Sequence, residues 1–291
     1  MPTTPVTRYQ QRKFREFVKS LSDSALTRLV ANEKLDNDAL KRLIAQPDDF
    51  HSRMYYMMLD LSRPVAKSRY LTRTYPPAHR RVKSLKTQVN TIRRFFPDIG
   101  FADMKLAERP LPPYAEGRFA IPKWETIAPT CAEAVQKVFS LLAMKRSFQS
   151  YCVLGDGEER LVPESRTVAM FQKLADEQTG FDILVVPAQF GLKYAGLSVS
   201  AARSAFAENE CGLGLFAVGI MLLTHPEREV RESHLHVDCA GDNYFRHRGD
   251  FWAVPFFSSC EYGGGKKTLV VDSDGESNNC QNAGSASAFL W

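Results

Sequence analysis

The sequence has no apolar run long enough to cross a bilayer as a helix. Its longest stretch without a charged or strongly polar residue, Cys211 to Leu223, is 13 residues, against the roughly 20 that such a span requires. No apolar segment of signal-peptide length opens the chain, where MPTTPVTRYQQRKFREF is polar and basic, so a non-secreted, cytoplasmic protein without membrane contact is expected. The six cysteines (Cys131, Cys152, Cys211, Cys239, Cys260 and Cys280) are irregularly spaced and include no CxxC pair, which argues against a disulfide framework and predicts reduced thiols. GxSxG, GxGxxG and GxxxxGK[ST] are also missing. No nucleophile elbow, dinucleotide fingerprint or phosphate loop is therefore predicted.

Acidic residues are absent locally as well. Leu61 to Pro97 contains no Asp or Glu but holds Arg63, Lys67, Arg69, Arg73, Arg80, Arg81, Lys83, Lys86, Arg93 and Arg94, ten cations in 37 residues. Residues 1–100 carry 20 Lys+Arg against 9 Asp+Glu, whereas residues 101–291 carry 18 against 24. The formal charge of +5 thus hides a basic first third and an acidic remainder. Phosphate backbones attract such a surface by counterion release, and Tyr70, Tyr75 and Phe95 lie among the cations as candidate base-stacking groups. A solvated helix face, or a patch that docks on an acidic protein or on the acidic remainder of this chain, would carry the same charges.

What is present suffices for a packed core: 291 residues, 44% of them hydrophobic, need no metal or disulfide staple. The expected fold is α/β or α+β, with a basic helical subdomain over 1–96, a proline-rich connection over 97–125 and a mixed-sheet α/β domain over 126–291. Apolar spacing predicts a helix through Phe14, Phe17, Val18 and Leu21, a second capped within Ser22 to Ser24, a third capped at Asp36 to Asp38 and a fourth around Met54 to Leu61. Val82, Leu85, Val89, Ile92 and Phe96 form the stripe of an amphipathic helix within 78–96. Thr130 and Glu133 form a capping box. Pro163 is placed at the first turn of the helix that follows, with Val168, Phe171, Leu174 and Ala175 inward and Gly180 as its stop. Strands are expected at Phe181 to Val186, 234–239, 251–257 and 267–271, with a helix capped at Ser198 or Ser200. Periodicity leaves 211–223 open between buried helix and buried strand.

Two further constellations bear chemistry. In HLHVDC (234–239), His234, His236 and Asp238 alternate, and on a strand they would share one face and could chelate a zinc ion. This run resembles the HxHxDH signature of the metallo-β-lactamase-fold hydrolases, and the resemblance implies that these three residues are metal ligands of a hydrolase; Cys239 stands where that family has histidine. After Val186, the loop PAQFGLKYAGLS lies where open α/β sheets bind ligands, and Gln189, Lys193, Tyr194, Ser198 and Arg203 could hold a small anion. The acidic run Asp272, Asp274, Gly275, Asn278 lacks the spacing of a calcium loop and reads as a hairpin turn. The favoured expectation is a nucleic-acid-associated protein that grips phosphates. A metal-dependent hydrolase with zinc as its metal, and an assembly module with an acidic protein partner, are the alternatives.

Overall fold

The computed structural model describes residues 7–31, 36–44, 81–154, 160–228, 230, 234–245, 252–262, 266–276 and 282–291. The chain forms two compact units, Met1–Met57 and Met58–Trp291. The helix expected within 78–96 and the proline-rich stretch 97–125 therefore both belong to the second unit. Arg63, Lys67, Arg69, Arg73 and Arg80 and the helix expected around Met54 to Leu61 lie outside the described residues.

In the first unit, α1 (Arg8–Ala31) is one continuous helix rather than the two expected, and α2 (Asn37–Ile44) follows. Ser22, within the expected cap, points backwards and donates to the Val18 carbonyl, and Thr27 donates in the same way to the Asp23 carbonyl. Such i−4 bonds let serine and threonine sit inside a helix without ending it.

The second unit is an α+β body with two mixed or antiparallel sheets. Its first helix, α3 (Leu85–Phe95), starts where the Ser84 side chain accepts from the Thr87 N–H. Leu85, Val89 and Ile92 of the predicted stripe are buried. Five prolines did not prevent a strand in 97–125, because β1 (Gly117–Pro122) uses its last residue at the strand end. After α4 (Cys131–Lys145), capped at Thr130 as predicted, come β2 (Phe148–Ser150), β3 (Arg160–Pro163) and α5 (Ser165–Glu177). Pro163 thus ends a strand, and Glu164 caps α5 by accepting from the Thr167 N–H. The inward face of α5 is Thr167, Met170 and Leu174, while Val168 is exposed. β4 (Ile183–Gln189) is buried throughout and matches the predicted apolar strand.

The first sheet has the order β1-β4-β11-β5, where β5 is Glu210–Gly212 and β11 is Ser287–Phe289, and all its pairs are antiparallel. The second contains β6 (His236–Asp238), β7 (Asp242–Phe245), β8 (Trp252–Tyr262), β9 (Lys266–Gly275) and β10 (Ala283–Ser285) in the path β10-β6-β8-β7-β3, with β9 pairing β8 and β2. The expected strands near 236, 252 and 267 are present. Asp272 and Asp274, read as a turn, instead lie within β9 opposite Phe256 and Val254. β10 and β11 join the two sheets through Ala286, whose N–H donates to the Asp238 carbonyl and whose carbonyl accepts from Leu213.

Two helices complete the unit: α6 (Val199–Ala205), capped by Ser198, and α7 (Leu215–Thr224). The ambiguous run 211–223 is both things in turn, a strand through Gly212 and then a helix. All ten residues of α7 are buried, against α3, α4 and β1. Gly219 permits this: a Cβ there would lie 2.6 Å from Val138 Cγ1. Among the described residues no helix is long and apolar enough to cross a membrane.

Asp238 is buried in β6, and its carboxyl is pushed up to about 7 by burial and then by the nearby charge of Asp274. A carboxyl near 3.8 when unfolded and about 7 when folded favours folding fully below pH 3.8. That contribution is lost as pH rises through 7. Asp238→Asn is therefore expected to gain stability relative to the wild type between pH 4 and pH 8, on the order of a few kcal/mol. Urea unfolding at both pH values checks this; a constant difference would contradict it.

Candidate functional site

Three helix C-termini and one strand pair converge on a cleft of about 710 Å³ in the second unit. Helix α3 supplies Thr87, Thr91, Arg94 and Phe95, which recur at helical spacing on the face opposite Leu85 and Ile92. Lys145 and Arg146 come from the end of α4, Thr224 and Pro226 from the end of α7, and Ser259, Lys267 and Thr268 from β8 and β9. With Lys83, five cations line the cleft, and no carboxylate does so among the described residues.

These cations are not equivalent. Lys83 Nζ donates to the Thr224 carbonyl at 3.0 Å and pairs with Glu227 at 2.8 Å. Burial acts to raise the Glu227 carboxyl, but the hydrogen bond from Lys83 prevails and holds it low. Arg146 donates to the carbonyls of Leu222 and Pro226. Both residues thus answer the partial negative charge at the end of α7. Arg94 is held only by its own helix, through long contacts to the Asn90 carbonyl (3.4 Å) and Thr91 Oγ1 (3.5 Å). Lys145 lies 5.5 Å from the Phe95 ring centroid, and Lys267 is exposed. Arg94, Lys145 and Lys267 form no ion pair among the described residues; Lys267 stands opposite Glu261 in the β8–β9 ladder.

The cleft wall is stiff. Buried Gln88 donates to the carbonyls of Lys83 and Arg118 and accepts from the Ala120 N–H, tying α3 to β1 and to the segment before it. His225 completes the fastening. Its Nδ1 lies 3.1 Å from the Met221 carbonyl, which can only accept, so Nδ1 carries the proton and Nε2 accepts the Lys83 N–H at 3.1 Å. The ring packs on Phe119 and Phe190 at centroid distances of 5.3 and 6.5 Å.

Of the described basic residues singled out by sequence, Lys83 and Arg94 line the cleft, and Arg81 lines a neighbouring recess. Lys86 is exposed on α3 outside both, and Arg93 stacks 4.1 Å from the Phe101 ring centroid. Lys145, Arg146 and Lys267 were missed. They lie far from Lys83 in sequence, in segments of ordinary charge.

The residues after β4 turn inwards. Gln189 donates to the Ser285 carbonyl and Ser287 Oγ and accepts from Gly191 N–H. Lys193 and Tyr194 both bind the fully buried Glu210, at 2.5 and 2.8 Å, and Ser287 Oγ donates to its other oxygen. Burial and the Glu210 hydrogen bond push the Tyr194 hydroxyl well up. Ser198 caps α6, and Arg203 binds the carbonyls of Ala240 and Asp242, Asn243 and Glu276. These five side chains hold the protein's own backbone and carboxylates rather than facing an open anion site.

His234 precedes β6, while His236 and Asp238 lie on it. Among the described residues no group of three or more His, Cys, Asp or Glu could hold a metal ion. Burial raises the Cys131 and Cys211 thiols to about 12 and pushes the Cys239 thiol well up, which disfavours the thiolate at all three.

Burial lowers the His225 ring to about 4; the Met221 carbonyl and Glu227 oppose this, and Lys83 and Arg228 reinforce it. Its contribution to stability is complete above the ordinary value of 6.5 and is lost as pH falls through 4. NMR titration of the His225 ring is expected to show a midpoint near 4, with unfolding made easier over the same interval; a midpoint at 6.5 would contradict the buried neutral ring. Compared with protein families, curated proteins and solved structures, the chain matches none.

Proposed function

We propose that this protein binds nucleic acid through the phosphate backbone, in the cleft bounded by α3, α4, α7 and the β8–β9 pair, without a catalytic step of its own. The observation that carries this reading is the five-cation lining with no described carboxylate, in which Arg94, Lys145 and Lys267 have no ion pair among the described residues. The end of α7 engages Lys83 and Arg146; Arg94 and Lys145 lie in the last turns of their own helices and Lys267 lies on β9, all three facing the same hollow. The lining hydroxyls of Thr87, Thr91, Ser147 and Thr268 make the wall polar, although Thr91 donates to the Thr87 carbonyl, Thr87 pairs with Ser84 and Ser147 pairs with Thr268. Phe95, at the rim beside Lys145, offers an apolar face to a base. The volume falls within the roughly 300–1,000 Å³ of small-ligand sites, so the cleft would admit a piece of a flexible strand and not the body of a duplex.

Fluorescence anisotropy with labelled single- and double-stranded RNA and DNA, from about 50 to 200 mM salt, tests the reading. Single strands are expected to bind with an affinity that falls steeply with salt. Lys145→Ala/Lys267→Ala, at two exposed positions, is expected to reduce the salt slope by about one per contact removed, with an unchanged thermal transition. Absence of binding at the lowest salt, or an unaltered slope in the variant, would remove the proposal.

A further inference from the structure

A second recess, of about 470 Å³, adjoins the segment 81–84 and is lined by Arg81, Lys83, Glu116 and Arg118 among others. Lys83 lines both hollows, so this segment forms a ridge between them. The ridge is rigid: the Lys83 N–H is held by His225, the Lys83 carbonyl by Gln88, and Ser84 caps α3. The carboxylate in the second recess is already engaged, since Glu116 binds Arg228 at 2.7 Å and accepts from the Phe190 N–H. Arg118 donates through one terminal nitrogen to the Arg109 carbonyl, while its buried Nε has no hydrogen-bond partner. A buried donor without an acceptor is destabilising and is the sort of atom a phosphate oxygen would satisfy.

Resting on the nucleic-acid reading above, we infer that one single strand passes over the Lys83 ridge and occupies both hollows, so that the ligand is a polymer several nucleotides long rather than a mononucleotide. Two hollows that meet at residues 81–84, one lined by Arg94, Lys145 and Lys267 and the other by Arg81 and Arg118, match a backbone with a charge at every nucleotide. A single phosphorylated small molecule would fill only one of them.

The test is the dependence of affinity on strand length, using labelled oligonucleotides of about 4 to about 16 nucleotides at fixed low salt. Affinity is expected to rise once the strand spans the ridge, by roughly three- to tenfold beyond the gain from added non-specific registers. Arg118→Gln, and independently the exposed Arg81→Gln, are expected to abolish that rise, so that long strands bind no better per register than short ones. Tight binding of the shortest oligonucleotides with no further gain would overturn the two-hollow path while leaving the first cleft as a nucleic-acid site. Failure of every length to bind would remove both proposals. Equal affinity for a duplex would overturn the path in favour of a surface contact.

Discussion

A helix buried on every side must have its backbone ends satisfied from within the protein, and in the second unit that requirement falls on α7. Its ten residues are all buried, so water is not at hand for the orphan groups that every helix leaves at its ends. At the N-terminus the Asp242 carboxylate accepts from the Leu215 N–H at 2.7 Å. At the C-terminus His225 turns back to the Met221 carbonyl, Arg146 reaches Leu222, and Lys83 reaches Thr224. The cations drawn to that end form one side of the cleft. The same constraint that stabilises the core therefore concentrates positive charge at one place on the surface.

Charge used by the fold can be separated from charge that remains. Glu210 is fully buried, yet it receives Lys193, Tyr194, Ser287 and the Ala207 N–H. Buried amides act in the same manner: Gln178 exchanges two hydrogen bonds with Val185, and Gln88 makes three to the backbone around β1. Such networks specify how elements meet, because each unmade bond would leave a desolvated group unpaired. Arg94, Lys145 and Lys267 contribute nothing comparable to the core. Their positions around one hollow are what the proposed binding surface rests on.

Periodicity made much of the secondary structure legible. The stripe of Leu85, Val89 and Ile92, the cap at Thr130 and the β-branched run of β4 each depend on neighbours in sequence, and each is found where expected. Readings failed where local chemistry had two outcomes. Ser22 and Thr27 can cap a helix or bond back within one, and α1 takes the second course. Lys193 and Arg203 can face a ligand or a carboxylate of the protein, and they pair with the buried Glu210 and the partly exposed Glu276.

By itself the sequence determined a mixed helix-and-strand class, the apolar faces of the principal helices and strands, and the concentration of basic residues before Pro97, because these follow from composition and from spacing along the chain. Only the tertiary structure decided that Lys83 and Arg94 join Lys145, Arg146 and Lys267 around one cleft, and that the residues after β4 close on themselves. Charges become a site through distance in space. That distance is set by how α7 is buried and how its ends are satisfied, which no spacing along the chain records.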